Sequence, residues 1–187
     1  MLITELKGVT RVCEIVHDTR TPNTTKHTAY DKKLKPIWDK AVKDTRSRHV
    51  SLVYFFCVNG VINKIGQSSG KGGITGATNF YATAGFGSDG PPRFIINGLI
   101  REALAAGHKV EVYYIYQEKI EVEVPGLFGV TLMEVPISAK GMEENCLAQY
   151  KEIEGEYPVW NFQERGEQQP QHLVERYNAY RVARRGA

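Results

Sequence analysis

Two apolar runs separated by Asn59-Gly60 constrain the fold of this chain more than any other feature. The first run is Ser51-Leu-Val-Tyr-Phe-Phe-Cys-Val58, and the second is Val61-Ile-Asn-Lys-Ile65. Asn-Gly is strongly preferred in two-residue hairpin turns, and β-branched and aromatic residues are enriched in strands. The sequence therefore predicts a β-hairpin at this point, and we expect this hairpin to begin the core sheet.

A helix and a further strand are predicted downstream. Residues from Arg93 to Ala106 carry apolar side chains at helical spacing, and Gly107 provides a natural stop. Val110 to Tyr116 is rich in valine, tyrosine and isoleucine, which favour a strand. Together these elements predict an α/β (α+β) fold. Its small central sheet is mainly antiparallel, made of the hairpin and this third strand, and is flanked by helices.

The rest of the chain alternates between loops and short regular elements. Lys119–Val124 and Phe128–Val135 flank the turn residues Pro125-Gly126, which predicts a second, partly exposed hairpin inserted at about 119–135. Apolar spacing predicts helices over Met142–Ile153 and from Pro170 to about Arg184. Residues 66–90 contain 8 of the 18 glycines and are expected to form a loop, with a helical turn near Ile74–Tyr81.

Charge is distributed unevenly along the 187 residues. Residues 1–50 contain 7 Lys and 4 Arg against 6 acidic residues, a formal +5, so the net +3 of the chain leaves −2 on the remainder. We therefore expect a basic N-terminal arm at residues 1–50, helical over 37–45, a core at 51–163 and a C-terminal helix at 164–187. The arm is either a solvated helix face or a surface that contacts phosphates.

Composition and cysteine usage exclude several classes of protein. The hydrophobic fraction of 42% and the charged fraction of 24% are typical of a globular domain. Three widely spaced cysteines do not suggest a disulfide framework, and we expect a reduced, cytoplasmic location. The longest apolar run, Val50–Val58, is too short to span a bilayer, and the N-terminus lacks a signal-peptide pattern. We expect neither a membrane protein nor a secreted one.

The segment from Gly66 to Gly72 is superficially similar to a phosphate-binding loop of nucleotide triphosphatases. The spacing between its glycines is one residue short, and no serine or threonine follows Lys71 to hold magnesium. A nucleotide triphosphatase is therefore not expected.

The hairpin itself carries a resemblance to a known family. Val53-Tyr54-Phe55, a tight turn and then Lys64-Ile65-Gly66 resemble the core motif of the GIY-YIG nucleases, with Lys64 where most members have a second tyrosine. The family's restriction endonucleases and phage endonucleases share further segments with this chain. The resemblance covers residues 51–163, and its further segments are Asn97–Tyr113, Ala139–Asn145 and Val159–Gln163.

The resemblance implies a chemistry and assigns it to particular residues. Members hydrolyse DNA phosphodiester bonds with one divalent metal per active site, Mg²⁺ or Mn²⁺, and an attacking water. Tyr54 corresponds to the general base, and Lys64 is expected to lower the pKa of that tyrosine or to hold the scissile phosphate. Glu144 is the expected metal ligand, with Glu143 as an alternative. Without the resemblance, Tyr54 would be interpreted as a core aromatic residue and Lys64 as a charge protecting an edge strand.

One position departs from the family pattern. The segment Ile74–Tyr81 places Ala77 where the family has an arginine that contacts the phosphate, and no arginine occurs between Arg48 and Arg93. The chain is naturally inactive, or Arg93 or Lys71 replaces the missing cation, or alanine has been introduced there. We favour the third explanation, because the other expected site residues are intact.

The function expected from this resemblance is a site-specific, restriction-type endonuclease acting on double-stranded DNA. Cutting both strands with one site per chain requires a homodimer or a higher homo-oligomer. The alternatives are a phage-type endonuclease of relaxed specificity and a DNA-binding protein with an inactive nuclease core. The residues expected to contact DNA are Lys32, Lys33, Lys35, Gln67, Ser68, Lys71, Thr75, Asn79, Arg93 and Asn161.

Overall fold

The computed structural model describes residues 1–22, 32–43, 51–69, 72–82, 90–117 and 119–185. Its main sheet has five strands, all of whose pairs are antiparallel, in the order β2-β1-β5-β3-β4. These strands are β1 (Thr10–Pro22), β2 (Lys32–Trp38), β3 (Ser51–Val58), β4 (Val61–Ser68) and β5 (Val110–Gln117). The fold class predicted from the sequence, a mainly antiparallel sheet flanked by helices, is confirmed.

The helices form layers on the two faces of this sheet. A second, two-stranded sheet is separate from the main one. The helices are α1 (Gly73–Ala82), α2 (Pro91–Ala105), α3 (Ala139–Glu154), α4 (Phe162–Arg165) and α5 (Gln171–Arg185), and the second sheet contains β6 (Lys119–Gly126) and β7 (Gly129–Pro136). Residues of α1 and α2 share one apolar core with one sheet face, and α3 residues share a second core with the other face. The strand β3 therefore lies between two cores.

The hairpin of β3 and β4 forms as the sequence predicts. Asn59 and Gly60 have φ values of +50° and +80°, the positive values that a type I′ turn requires. The alternating residues Tyr54 and Phe56 join the core under α1 and α2, while Val53 and Phe55 join the core under α3. Because both faces are covered, β3 is a continuous apolar run and does not alternate with polar residues.

The basic N-terminal segment is not a separate arm in the described structure. Residues 10–22 and 32–38 form two strands of the main sheet, and Val12 and Ile15 are fully buried. The helix predicted over 37–45 is wrong for the described residues 37–43, where β2 ends at Trp38 and the 3₁₀ turn Lys40–Val42 follows; residues 44 and 45 lie outside the described residues. The net charge of this segment suggested an exposed arm. In β1, however, buried residues such as Val12, Cys13 and Ile15 are interspersed with basic and acidic ones.

An ion-pair network joins this N-terminal segment to the core. The guanidinium of Arg11 on β1 contacts Asp39 and Glu111, both at 2.6 Å, and Glu111 on β5 also pairs with Lys109 at 2.8 Å. Glu111 is buried, and the Lys109 and Arg11 contacts hold its pKa below the usual value although burial acts in the opposite direction. Removal of either cation would leave the buried carboxylate of Glu111 less well compensated and would lower the stability of the fold.

The other predicted elements are present with boundaries shifted by a few residues. The helix from Pro91, the third strand, the second hairpin, the helix around Cys146 and the C-terminal helix all form. The helical turn expected near Ile74–Tyr81 is a complete helix, α1. The C-terminal helix α5 packs on α2 through Phe94 and Tyr177, whose ring centroids are 5.4 Å apart. Among the described residues, no helix is long and apolar enough to cross a membrane.

Candidate active site

The register of the β3–β4 hairpin brings Tyr54 and Lys64 to the same face of the sheet. Tyr54 lies opposite Gly66, and Phe56 lies opposite Lys64. Side chains two positions apart on a strand share a face, so Lys64 lies diagonally across the hairpin from Tyr54. Tyr54, Phe56, Lys64 and Gly66 thus share one face, which is the face covered by α1 and α2.

Gly66 allows the ring of Tyr54 to lie directly on the backbone of β4. A Cβ atom placed at Gly66 would lie 2.4 Å from both Cζ and Oη of Tyr54. No side chain is compatible with that separation, so the glycine of the Lys-Ile-Gly segment is required by the position of the tyrosine ring and not by its own backbone conformation. The Lys-Ile-Gly segment is therefore required for the packing of Tyr54 as well as being a recognisable sequence motif.

A second tyrosine, Tyr81 at the end of α1, completes the centre of the site. The hydroxyl groups of Tyr54 and Tyr81 are hydrogen bonded at 2.8 Å, and both side chains are buried. The rings of Tyr54, Phe56 and Tyr81 contact one another edge to face, with centroids 5.2–5.9 Å apart. The aromatic cluster fixes both hydroxyls in place.

Beside this aromatic cluster lies a cavity of about 230 Å³ that Tyr81 and Lys64 help to line. Lys64, Tyr81 and the apolar Ile96 of α2 form part of its wall. Trp160 and Glu164, from the C-terminal part of the chain, also line it. A cavity of this size is large enough for a phosphate group with its bound waters. A larger substrate would therefore extend out of the cavity across the surface.

Two carboxylates, Glu143 on α3 and Glu164 on α4, act electrostatically on this cluster. Burial lowers the pKa of Lys64, and the charges of Glu164 and Glu143 oppose that shift. Burial also raises the pKa of Glu143, which the positive charge of Lys64 opposes. Lys64 is thus a partly buried cation under the electrostatic influence of two acids, an arrangement that is common at functional sites.

The titration of Tyr54 differs from the sequence-based expectation. Lys64 was expected to lower the pKa of Tyr54, whereas burial raises that pKa well above its usual value, and the neighbouring Tyr81 and the carboxylate of Glu143 raise it further. Burial also raises the pKa of Tyr81. In the ligand-free protein both phenols are neutral at physiological pH.

The structure places Glu143, not Glu144, beside the cluster. Glu143 is half-buried and interacts with Lys64 and with both tyrosines. The side chain of Glu144 is 64% exposed and lies 3.6 Å from Lys140 on the same helix face. Adjacent helix positions differ in direction by about 100°, so only one of these neighbours can face the site. Of the two glutamates that the resemblance offers as the metal ligand, Glu143 is the one beside Lys64 and the tyrosines, and the metal role itself stays a prediction.

Asn161 bonds to the backbone of β4 and also lines the cavity, and its contact with DNA stays a prediction. Its side chain is 1% exposed and makes two hydrogen bonds to the backbone of Ile65, accepting from N and donating to O, each at 2.9 Å. The amide of Trp160 donates to the carbonyl of Asn63. These contacts pair the outer edge of β4 in the way that another strand would.

Ala77 lies on α1 four residues before Tyr81 and packs at the edge of the core that contains Tyr54. Residues at this spacing share a helix face, so a longer side chain at position 77 would extend toward the tyrosine pair. Arg93, in the first turn of α2, stacks its guanidinium on the ring of Phe80, 4.1 Å from the centroid. It also donates a hydrogen bond from Nε to the carbonyl of Phe80.

The other residues expected to contact DNA are dispersed. Lys32, Lys33 and Lys35 lie on the edge strand β2, which is not part of the cavity wall. Lys71 lies outside the described residues. Gln67 and Ser68 are at the end of β4, and Thr75 and Asn79 are half-buried on α1.

The donor set fits a hard divalent cation. Within the ranges that the structure describes, no three His, Cys, Asp or Glu side chains form a ready metal-binding cluster. Mg²⁺ does not need one, because it is commonly held by one or two carboxylates while waters and substrate phosphates complete its shell. Glu143, which is half-buried beside Lys64, could supply one such oxygen ligand.

Comparison with known proteins identifies the fold. No protein-family model and no curated protein matches this chain. Among solved structures, a glutamate-to-alanine mutant of bacteriophage T4 EndoII is similar at a TM-score of 0.50, with 17% sequence identity over 86% of this chain and 98% of that one. Restriction endonuclease HPY188I in complex with product DNA matches 81% of this chain and 79% of its own, with 21% identity and a TM-score of 0.36. The fold is thus similar to that of EndoII.

Proposed function

We propose that this chain is a metal-dependent endonuclease that hydrolyses phosphodiester bonds of double-stranded DNA, with a site-specific, restriction-type activity and a GIY-YIG nuclease-like core. The observation that carries the proposal is a cluster in which Tyr54 is hydrogen bonded to Tyr81 and Glu143 acts electrostatically on Lys64, while Lys64 and Tyr81 line one cavity. A fold similar to that of an endonuclease, EndoII, supports it.

Lys64 acts on the scissile phosphate, and Tyr54 acts on the attacking water. The ammonium group of Lys64 donates hydrogen bonds to a non-bridging oxygen of the scissile phosphate, where negative charge increases as the attacking oxygen bonds to phosphorus. The hydroxyl of Tyr54 orients the attacking water, and the hydrogen bond with Tyr81 holds that hydroxyl in position. Tyr54 can act as the base only as its phenolate, after it has lost its own proton to solvent; the phenolate oxygen then takes a proton from the attacking water, and the departing sugar oxygen gains one from solvent.

Glu143 would hold the divalent cation, Mg²⁺ or Mn²⁺, with one ion per active site. A bound cation supplies positive charge that polarises the phosphate and stabilises the departing oxygen. The same positive charge would lower the pKa of a tyrosine that burial otherwise raises. The site therefore requires both the carboxylate and the buried phenol.

Position 77 favours a second candidate function. With alanine in place of a cation, the chain is a DNA-binding protein with an inactive core, or an enzyme that lacks one stabilising group. Removal of one preorganised transition-state donor typically lowers the rate by about 10²–10³. A phage-type endonuclease of relaxed specificity shares the same site chemistry and differs only in the fragments that it produces.

We also propose that the active form is a homodimer or a higher homo-oligomer, because one site per chain cuts one strand at a time. The cytoplasm is the proposed compartment, since Cys13, Cys57 and Cys146 are free thiols.

Cleavage of supercoiled plasmid in Mg²⁺ tests the proposal, with the chain and its Ala77→Arg variant compared side by side. We expect Ala77→Arg to increase metal-dependent cleavage by about 10²-fold and to give discrete fragments on long DNA. Chelation of the metal should abolish the activity. Salt-dependent binding of DNA without cleavage by either protein would favour the inactive DNA-binding protein.

A further inference from the structure

The C-terminal helix α5 concentrates positive charge next to a part of the chain that is acidic. Its 15 residues contain four arginines and one glutamate, a formal +3, whereas residues 51–170 contain 9 Lys and Arg against 14 Asp and Glu, a formal −5. Attraction to the helix dipole favours cations only within the last turn of a helix. Arg176 and Arg181 precede that turn, and both are exposed, so the dipole does not account for them.

The packing of α5 brings its C-terminal half to the beginning of α2. Near the start of α5, Nε2 of His172 lies 2.7 Å from Oε1 of Glu102, which is in the last turn of α2. Further along α5, the rings of Tyr177 and Tyr180 pack on that of Phe94, in the first turn of α2, with centroids 5.4 and 5.9 Å away. The two helices are therefore antiparallel, and the arginine-rich end of α5 lies beside the start of α2.

This contact connects Arg181 to the wall of the cavity in the candidate active site. The guanidinium of Arg181 lies over the ring of Tyr177, 5.6 Å from the centroid, and Tyr177 is buried against Phe94. Phe94 lies in the chain between Pro92 and Ile96, and both of these residues line the cavity. The charge of Arg181 is therefore separated from the cavity wall by two packed aromatic rings.

We propose that the C-terminal half of α5 binds the phosphate backbone of duplex DNA that extends from the cavity. This inference rests on the proposed function and deepens it, because it names a surface that holds the substrate away from the scissile phosphate. A duplex presents a phosphate about every 3.4 Å along each strand, so DNA with one phosphate at the cavity places others over the neighbouring surface. The arginines of α5 neutralise such phosphates without reading the bases, whereas the acidic residues that predominate in 51–170 repel a polyanion.

The salt dependence of DNA binding tests this role without any cleavage. A linear duplex is titrated with the unchanged protein and with Arg181→Gln in the presence of a chelator, at salt concentrations from about 50 to 200 mM. Loss of one phosphate contact should reduce the slope of log K against the log of salt concentration by about 1, and should weaken binding about fivefold at physiological salt. The loss should be the same for duplexes of unrelated sequence, because a backbone contact carries no sequence information.

Two further variants separate the effect of charge from that of folding. Lys151→Gln removes a cation that also lies over a tyrosine ring, that of Tyr157 at 4.7 Å, but on α3, and it should leave the slope unchanged. Arg181→Lys retains the charge and should retain the slope. Thermal unfolding of each variant identifies any loss of binding that arises from loss of fold. In Mg²⁺-dependent cleavage, Arg181→Gln should raise KM and leave kcat unchanged, because a contact remote from the scissile bond is made equally in the ground and transition states.

The outcomes distinguish this inference from the proposed function. An unchanged slope in folded Arg181→Gln, or an equal decrease in Lys151→Gln, would overturn the role of α5 and leave the endonuclease proposal intact. A reduced slope in Arg181→Gln alone would support the role of α5 even if neither the chain nor its Ala77→Arg variant cleaves DNA in Mg²⁺, a result that would end the endonuclease proposal. If the unchanged protein does not bind duplex DNA at low salt, the inference fails.

Discussion

The two hairpins of this protein have similar local structure but opposite environments. The β3–β4 hairpin lies in the five-stranded sheet, and six of the eight residues of β3 are buried. The β6–β7 hairpin forms a sheet of its own, and Leu127 and Phe128 at its tip are 96% and 103% exposed. Only the first hairpin carries side chains of the candidate site.

The difference between the hairpins can be related to their sequence patterns. The run in β3 is continuous in apolar residues because helices cover both of its faces. In β6, Glu121 and Glu123 alternate with Ile120, Val122 and Val124, which predicts one apolar and one solvated face. A tight-turn sequence identifies a hairpin. The apolar pattern of its two strands indicates whether the hairpin is buried, and therefore whether a polar side chain on it can have a shifted pKa.

The largest expected effect comes from a single methyl group in the first hairpin. Gly66→Ala places a Cβ 2.4 Å from the ring of Tyr54, so the ring must move and the hydrogen bond to Tyr81 is lost. We expect cleavage to fall by about 10³-fold and the free energy of unfolding to fall by about 1–3 kcal/mol. Plasmid cleavage and urea unfolding measure the two effects.

Gly60→Ala in the same hairpin is the matched control. Its φ of +80° makes alanine strained, but no atom lies within 4 Å of the added Cβ. A loss of about 1 kcal/mol in stability with cleavage retained is expected. Equal losses of cleavage in the two variants would show that hairpin stability, and not the position of Tyr54, controls activity.

Removal of one hydroxyl group is expected to have the next largest effect. Tyr54→Phe should lower cleavage by about 10²–10³-fold, within the range of general base catalysis. Because burial raises the pKa of Tyr54, the phenolate fraction, and with it the rate, should increase as the pH rises from neutral toward that pKa. A rate profile in which Tyr54→Phe has the same pH dependence as the unchanged protein would contradict the assignment.

Lys64→Met should separate stability from activity. Burial lowers the pKa of Lys64 from 10.5, so the folded state binds its proton less strongly than the unfolded state. Stability should then rise as the pH increases through that lowered pKa toward 10.5. The methionine variant should lose this dependence, gain about 1 kcal/mol at neutral pH and lose cleavage by about 10²-fold. Urea unfolding at several pH values measures this pH dependence. A methionine variant that is less stable than the original protein at neutral pH would show that Lys64 stabilises the fold.

The second hairpin should tolerate a comparable change. Phe128→Ser alters a fully exposed side chain at the β6–β7 turn, and its free energy of unfolding should remain within about 0.5 kcal/mol of the original. Cleavage should not change either, because this hairpin lies outside the cavity wall. A loss of cleavage in this variant, measured by the plasmid assay, would remove the functional distinction between the two hairpins.

Local patterns predicted much of the fold, and long-range pairing limited the rest. Asn59-Gly60 identified the first hairpin, and apolar spacing identified α2. The strands β1 and β2 were missed because lysines and carboxylates interrupt their apolar residues, and because β5, which pairs with β1, lies far away in the chain. Propensity describes neighbours along the sequence, whereas a strand is stabilised by the strands that it pairs with.

The same limit applies to the site. Tyr54 and Lys64 were predicted because both belong to one short motif. Tyr81 and Glu164 were missed, since their proximity to Lys64 depends on the packing of α1 and α4 against the sheet. The choice between Glu143 and Glu144 depended on the rotation of α3, which the sequence does not specify at the level of one residue.

Glu143 and Glu144 permit the most direct test of the central claim, that the cluster of Tyr54, Lys64 and Glu143 is a metal-dependent hydrolytic site. Glu143→Gln and Glu144→Gln are compared by plasmid cleavage as a function of Mg²⁺ concentration, in the chain and in its Ala77→Arg variant. We expect Glu143→Gln to raise the Mg²⁺ requirement and to lower the maximal rate by about 10²-fold or more, while Glu144→Gln behaves like its parent. The reverse order, or no change in either, would contradict the account.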